Sequence, residues 1–274
     1  MPTAFLQVFS NGRSPEEVRF VEKQLAARPA GSILAVKVLE EDVPTSPALA
    51  RFSPGDFAVG NATFIKECLA RAGVPLPPAP DYPACLAPYL HRKMWRATLA
   101  GCAAGAGGAP FYVKPAEDIK AFSGEEATPA ELAHLRSRFP PDFPVVCSEK
   151  VDIACEYRVY VARGVVKAVC HCPHPGCERT PLDEAVARAA VATLEASGEA
   201  LAGYGIDFCV IKRGGGGGAL VTALMEVNDG TTTGVYDGVS HADYTEMVEA
   251  RWQQLLGGGA SGGGGGAGAT GAGE

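Results

Sequence analysis

The sequence predicts an α+β protein built from a small N-terminal α/β domain, a larger α+β domain and a glycine-rich tail. Residues 1–85 alternate apolar, strand-like runs with helical patterns, which is typical of an α/β unit. Residues 86–256 contain two hairpin patterns, at residues 156–170 and 206–228. Residues 257–274 are nearly all Gly and Ala. Because they offer few side chains to bury, we expect this tail to be disordered.

Composition sets limits on the function. A chain of 274 residues with 47% hydrophobic residues can hold one or two domains with an apolar core. Its formal charge of -7 argues against a nucleic-acid partner, because such surfaces carry a basic excess. No apolar run is long enough to cross a membrane, and no leader pattern precedes the first strand. The nine cysteines are odd in number, which favours reduced thiols and a cytoplasmic location.

The N-terminal unit is predicted to contain strands at residues 4–9 and 32–39. Ser14 is the expected N-cap of a helix that runs to Leu25 and carries a proline and acidic residues in its first turn. A second helix is predicted at residues 62–72, ended by a glycine. Residues 74–83 are rich in proline, so we expect a linker or surface crossing there.

The larger part begins with residues 90–95, which we expect to open a helix. Short strands are predicted at residues 111–115 and 144–151. A later helix is expected to begin at Thr180 and Pro181, with Thr as cap and Pro in the first turn, and to end near Gly198.

A polar loop follows the strand at residues 111–115. Lys114 lies near the end of that strand, and the loop carries Lys120, Ser123 and Gly124. Ammonium groups, a hydroxyl and a glycine that admits close backbone approach suit a bound anion. The alternative is that both lysines are ordinary surface residues.

The hairpin at residues 156–170 has two distinct faces. Alternation places Tyr157, Val159 and Val161 on one face, which we expect to enter a core. Glu156 and Arg158 share the other face. They form either an ion pair or part of a pocket wall, where arginine gives fork-like recognition of phosphate or carboxylate.

The second hairpin carries the most informative pattern. Asp207 lies in the first apolar run, and Glu226 and Asn228 end the second, beyond a tract of five glycines. A hairpin folded about Gly216 places residue 207 opposite residue 225, so a one-residue change of register brings all three polar side chains onto one face. Two carboxylates and a carboxamide suit Mg²⁺. The alternative is a solvated strand end.

A separate cluster of thiols and imidazoles follows the first hairpin: Cys170, His171, Cys172, His174 and Cys177. These groups could bind Zn²⁺. However, the sequence offers no second ligand pair elsewhere, and Cys170 and Cys172 share a strand face, which makes a closed site awkward. We therefore favour a strand end with incidental thiols, with His171 directed toward an acceptor pocket as a further option.

Together these residues resemble the ATP-grasp superfamily over roughly residues 90–256. The most specific match is the ordered pair Gly205-Ile-Asp207 and Met225-Glu-Val-Asn228. Residues 113–120 and 156–161 are most similar to the divergent branch that contains the eukaryotic cell-division-cycle protein assisting translation initiation factor assembly. The resemblance implies two α+β lobes that clasp ATP.

The resemblance also implies roles for individual residues. ATP would lie between the lobes, with adenine against the strand near Ser148 and lysines on the phosphates. Asp207, Glu226 and Asn228 would hold Mg²⁺, while Arg158 and Lys120 would supply catalytic charge. The residues implied for nucleotide binding are Lys93, Lys114, Ser123, Gly124, Ser148, Glu149, Lys150, Val151 and Glu156.

The activity that the resemblance implies is an ATP- and Mg²⁺-dependent ligase that joins a carboxylate to an amine through an acyl phosphate. We expect a peptide or protein to be the modified partner. The alternatives are a binding module or assembly chaperone that holds ATP without turnover, and a kinase on the same scaffold.

Overall fold

The computed structural model describes residues 1–117, 121–174, 177, 179–213 and 219–257. Lys120, the glycine tract 214–218 and the predicted disordered tail beyond Gly257 lie outside the described residues. Within them the chain forms three β-sheets and five α-helices, so the predicted α+β class is confirmed. No helix in the described ranges combines the length and apolar composition of a membrane span, and the expected cytoplasmic location stays a prediction.

The first sheet is parallel and consists of β1 (Thr3–Val8), β2 (Leu34–Leu39) and β3 (Phe57–Val59), in the order β2-β1-β3. Helices α1 (Glu16–Ala26) and α2 (Ala62–Arg71) lie in the connections between these elements and after them. Both predicted strands and both predicted helices are therefore present.

The predicted cap of α1 is wrong. Pro15 occupies the N-cap position, and no side chain caps the helix. Proline favours the extended backbone found there, with φ −50° and ψ 157°. By contrast, Asn61 caps α2 and accepts a hydrogen bond of 2.9 Å from the backbone N–H of Phe64.

The core of the first sheet is completed by the last helix, α5 (His241–Gly257). Trp252 of α5 is fully buried, and its Nε1 donates a hydrogen bond of 2.9 Å to the carbonyl oxygen of Ala58. The Arg28 guanidinium also pairs with both carboxylate oxygens of Glu249, at 2.6 and 2.9 Å. The apolar core thus crosses the predicted boundary at residue 85, and the boundary itself stays a prediction.

The second sheet is antiparallel, in the order β4-β7-β5-β6. Its strands are β4 (Met94–Thr98), β5 (Phe111–Pro115), β6 (Glu125–Glu126) and β7 (Pro144–Glu149). Helix α3 (Pro129–Arg138) packs against it through Leu132 and Leu135. The helix predicted to open at residues 90–95 is wrong, because Met94 and Trp95 begin β4 and pair with β7.

The third sheet is antiparallel, in the order β11-β10-β8-β9. Its strands are β8 (Asp152–Ala162), β9 (Val165–Cys172), β10 (Gly203–Lys212) and β11 (Leu220–Asp229). Arg163 and Gly164 both have positive φ, 51° and 74°, which is the two-residue turn that matches the twist of a hairpin. Both predicted hairpins are confirmed.

Each face of the third sheet is covered by one helix. Val159 and Leu194 join the core beneath α4 (Glu184–Ser197), while Tyr160 and Met247 belong to the core shared with α5. Helix α4 begins later than expected, because Asp183 rather than Thr180 caps it and accepts from the N–H groups of the first turn. The chain passes directly from β7 to β8, so the second and third sheets meet along that connection.

Candidate functional site

The register of β10 and β11 brings the three predicted metal ligands together. Asp207 lies opposite Glu226, and Gly205 lies opposite Asn228. The register shifts between Asp207 and Phe208, which supplies the one-residue adjustment expected from the sequence. Asn228 Nδ2 then donates to Asp207 Oδ2 at 3.0 Å and to Glu226 Oε1 at 3.3 Å.

Gly205 has a steric reason in this arrangement. A Cβ atom at this position would lie 2.8 Å from Thr233 Cγ2 and 3.5 Å from Arg158 Cδ. The first distance is too short for any side chain, so glycine leaves the room in which Arg158 crosses the sheet toward Asp207. The Gly205-Ile-Asp207 pattern therefore joins a space requirement to a charged group.

Each carboxylate of the cluster has its own cation. Arg158 donates through Nε and Nη2 to the two oxygens of Asp207, both at 2.7 Å. Lys114 comes from the facing sheet, and its Nζ lies 3.0 Å from Glu226 Oε2 and 3.1 Å from Asp81 Oδ1. The Arg158 and Asp207 side chains are only 12% and 15% exposed, so little water screens this pair.

Burial and these pairs shift the pKa values of the cluster. Burial acts to raise the pKa of Glu226, but the charge and hydrogen bond of Lys114, helped by Asn228, outweigh it and leave the pKa below its ordinary value. Burial raises the pKa of Asp207 despite Arg158. Burial also raises the pKa of Glu156, and the nearby Asp207 and Glu226 charges add to this rise. The site therefore holds ionised Glu226 beside carboxyls that resist ionisation.

Two residues of the site were missed in the sequence. Asp81 and Tyr82 belong to the proline-rich stretch expected to be a linker, yet Asp81 forms a bridge with Val227 of β11. The Val227 N–H donates to the Asp81 carbonyl oxygen at 2.8 Å, and Lys114 Nζ lies 4.6 Å from the centre of the Tyr82 ring. Asp81 and Tyr82 are the single acidic residue and the single aromatic residue among residues 74–83, which was the available signal.

A cleft of about 380 Å³ lies between the second and third sheets. The acid cluster forms one wall, and β5 and β7 form the other. The predicted site residues that line this cleft are Lys114, Gly124, Ser148, Glu149, Val151, Glu156, Asp207 and Glu226. The structure therefore brings most of the predicted nucleotide and metal residues around one space.

Other predicted site residues lie elsewhere. Lys93 points away from the cleft, where its Nζ donates to the carbonyl oxygen of Gly105 at 2.6 Å. Lys150 forms an exposed ion pair with Glu126. Ser123 is exposed and outside the cleft lining, and Lys120 lies outside the described residues.

Arg92 takes the place expected for Lys93. Its guanidinium donates to Ser148 Oγ of β7 at 3.0 Å and to the Met225 carbonyl of β11 at 3.0 Å, with a further contact to the Leu224 carbonyl. Side chains alternate along an extended chain, so Arg92 and Lys93 point to opposite sides. Arg92 thereby ties the two sheets together at the cleft.

A second cavity, of about 590 Å³, adjoins the acid cluster. It lies between α2, the proline-rich stretch and the end of β11, and both Asp81 and Asn228 reach its lining. The cluster thus stands between two spaces, one on each side of β11. Asp229 fixes the strand end, because it accepts from Thr231 and pairs with Arg251 at 2.8 Å.

The predicted thiol and imidazole cluster is divided by the sheet. Cys170 and Cys172 are buried on the face of β9 toward Tyr160 and Tyr236. His171 lies on the opposite face, where its ring is 5.3 Å from the Tyr157 ring. His171 therefore does not reach either cavity described above, contrary to the option of an acceptor pocket.

Solved structures share this fold. D-alanine--D-alanine ligase from Bacillus anthracis, complexed with ATP, aligns with a TM-score of 0.58 at 14% identity, over 94% of this chain and 99% of that chain. The macrocyclase MdnC from Microcystis aeruginosa, bound with precursor peptide MdnA, gives 0.52 at 14% identity, over 94% and 100%. A RimK domain protein from Sphaerobacter thermophilus gives 0.52 at 16% identity, over 91% and 98%.

A family model that describes an ATP-grasp domain, the second family of its clade, matches residues 89–247. No curated protein matches the chain. The expected ATP-grasp fold and superfamily are thus confirmed, while the nearer relation to the cell-division-cycle branch stays a prediction. With more than half of its residues matched by this model and with the fold of known ligases, the chain belongs to that family of ATP-grasp proteins.

Proposed function

We propose that this chain is an ATP- and Mg²⁺-dependent ligase that joins a carboxylate to an amine, with a peptide or protein among its substrates. The observation that carries the proposal is the position of the acid cluster between two cavities. A ligase needs a nucleotide and a second substrate to meet at one reacting centre. A module that only held ATP would need the first cavity alone.

ATP fits the cleft between the two sheets. Ser148, Glu149 and Val151 line it at the end of β7, where the adenine would lie. Lys114 would meet the phosphates, because its ammonium group already stands between two carboxylates and an aromatic ring at the middle of the cleft. The bound ATP of the Bacillus anthracis ligase, which has the same fold, supports this placement.

The acid cluster fits Mg²⁺ by the chemistry of its donors. Asp207, Glu226 and Asn228 offer hard oxygen atoms, and oxygens of both carboxylates lie within hydrogen-bond distance of one Asn228 nitrogen. When bound, Mg²⁺ would neutralise charge on the transferred phosphate. Arg158 has two nitrogens on Asp207 and a third 3.3 Å from the Gly234 carbonyl, so its role in this proposal is to orient that carboxylate.

The proposed reaction has two steps. A substrate carboxylate oxygen attacks the γ-phosphorus of ATP, and ADP leaves with the electron pair of the broken bond. An amine then attacks the carbonyl carbon of the acyl phosphate, which expels inorganic phosphate and loses a proton. Positioning and neutralisation of charge suffice for phosphoryl transfer, so the chain needs no nucleophilic side chain.

The second cavity would hold the acceptor. Its lining combines the cationic Lys66 and Arg96 with the acidic Asp229 and with threonine hydroxyls, so both ends of a zwitterionic substrate find partners there. The proline-rich stretch forms an apolar wall beside them. A peptide suits this mixture, and the macrocyclase of similar fold is bound to a precursor peptide.

The test is incubation of the purified chain with ATP, Mg²⁺ and hydroxylamine, with single carboxylates and short peptides as substrates. Formation of ADP together with a hydroxamate supports the acyl phosphate and hence the ligase. ATP that binds without ADP formation over the whole substrate set would instead indicate a binding module. A stable phosphorylated product with no hydroxamate would indicate a kinase. Glu226→Gln serves as the inactive control.

A further inference from the structure

A cluster of soft ligands lies on the face of the third sheet that the acid cluster does not use. Cys155 of β8, His171 of β9 and Cys177 beyond β9 each place one ligand atom within 4.8 Å of the others. Cys155 is fully buried, while His171 and Cys177 are half-buried. The sequence pattern did not reveal this group, because Cys155 lies on the preceding strand, well before the thiol-rich segment that begins at Cys170.

The register of the hairpin explains how the group forms. Tyr157 lies opposite His171, and Cys155 precedes Tyr157 by two residues, so all three side chains share one face. Cys170 and Cys172 alternate to the other face and are excluded. Cys177 then returns from the segment after β9, with Sγ 3.3 Å from His171 Nε2.

We propose that Cys155, His171 and Cys177 form a binding site for a borderline-soft divalent cation, with Zn²⁺ as the preferred ion. Two thiolates and an imidazole are ligands that zinc takes in tetrahedral sites. With zinc about 2.3 Å from sulfur and about 2.0 Å from nitrogen, tetrahedral geometry holds those two ligand atoms about 3.5 Å apart. The His171 and Cys177 atoms have nearly that spacing without any ion.

The surroundings suit a small ion and limit what else the site can take. Cys155, Tyr157 and Val210 form a small buried cluster, against which Cys177 and Leu182 pack. On binding, each thiol passes its proton to solvent and the three protein ligands leave one position for a further oxygen ligand. The Thr180 carbonyl is close, because it already accepts from Cys155 Sγ at 2.9 Å and from the Tyr157 hydroxyl at 2.8 Å.

The site is separate from the proposed catalytic centre. Glu156 and Arg158 alternate with Cys155 and Tyr157 along β8, so the two groups project from opposite faces of one strand. A bound ion would fasten the end of the β8–β9 hairpin to the segment that leads into α4. It would thus stiffen the strand that carries Arg158 without touching substrate.

The experiment measures zinc content and zinc affinity of the reduced, full-length chain, and then the visible absorption of its cobalt form. One ion per chain, with the thiolate-to-cobalt and tetrahedral bands, is the expected result. Cys177→Ser and His171→Gln should each weaken zinc binding by more than about 100-fold, because changes to outer-shell partners alone cost about 10- to 100-fold. Zinc should also raise the melting temperature of the parent but not of these variants.

Cys172→Ser is the matched control, because it removes a neighbouring thiol on the other face and should keep the ion. Zinc affinity that is unchanged in Cys177→Ser, or lost in Cys172→Ser but kept in Cys177→Ser, would overturn the assignment. A reduced protein that binds no zinc would do the same, as would a disulfide between Cys155 and Cys177 that persists under mild reduction and excludes the ion.

Discussion

Lys114 Nζ lies 3.0 Å from Glu226 Oε2, and this contact joins the second sheet to the third. The residue expected to bind phosphate therefore neutralises the residue expected to bind metal. Mutual attraction raises the pKa of Lys114 against the opposing effect of burial. A nucleotide with its cation brings both opposite charges at once, so it can replace this pair without leaving either side chain uncompensated.

Lys114→Ala should weaken ATP binding, because it removes a charged hydrogen bond to phosphate. Such a bond is worth about 1.5–3 kcal/mol, so the dissociation constant should rise by about 10- to 150-fold. Calorimetric titration of the folded variant measures this change. Lys93→Ala is the matched control, because Lys93 reaches Gly105 rather than the cleft, and its affinity should stay within about twofold of the parent. Equal losses in both variants would contradict the placement.

Asp207→Asn and Glu226→Gln should each reduce ATP turnover sharply, and their effects should not add. If both side chains bind one ion, the loss of either removes most of its function, so the double variant should be little worse than the worse single one. Turnover of the four proteins in a double-mutant cycle tests this. Additive losses would show that the two carboxylates do not share an ion.

The same variants should be less stable than the parent. Repulsion between two carboxylates taken alone would favour the opposite result, but Asp207 pairs with Arg158 and Glu226 with Lys114. Removing either charge leaves a mostly buried cation without its partner, at a cost of about 1–3 kcal/mol. Urea denaturation without nucleotide measures it. A gain in stability in both variants would mean that carboxylate repulsion dominates.

Arg92→Ala should loosen the connection between the two sheets. It removes charged hydrogen bonds to β7 and β11, and we expect a loss of about 2–3 kcal/mol in stability together with weaker ATP binding. Arg92→Lys keeps the charge but lacks the fork, so it should recover less than half of the loss. Arg188→Ala, whose side chain is 56% exposed, should cost less than about 1 kcal/mol in the same denaturation assay.

Glu156→Gln should stabilise the chain in a pH-dependent way. Burial raises the pKa of Glu156 above its ordinary 4.5 in the folded state. The protonated carboxyl therefore favours folding below pH 4.5, and this contribution is lost as the pH rises through the raised value. The variant should be more stable than the parent at neutral pH, and the difference should shrink toward zero below pH 4.5. Denaturation across this range measures it, with Glu184→Gln as a control for net charge.

The hairpin of β10 and β11 could be predicted because its determinants are local. Two apolar runs and a glycine tract set the register to within one residue of the observed pairing. The bulge at Asp207 could not be read from these runs. It depends on β8, which pairs with the other edge of β10 and supplies Arg158 opposite Asp207.

The missed residues depend on contacts between distant segments. Leu90, Met94 and Trp95 have the spacing of a helical stripe, but pairing with β7 makes the chain extended there and turns Arg92 rather than Lys93 into the cleft. Asp81 and Tyr82 follow a stretch of prolines that carries no periodic signal. Their position is set by the bridge to Val227, which lies far along the chain, near the end of β11.

The closure of the first sheet by α5 has a consequence for synthesis of the chain. β1, β2 and β3 leave the ribosome early, but the Ala58 carbonyl receives its hydrogen bond from Trp252, near the end of the described residues. The core of the earliest segment thus stays open to solvent until nearly the whole chain has been translated. A nascent chain halted after β11 would expose that apolar surface, so protease resistance of the N-terminal strands should appear only once α5 has emerged.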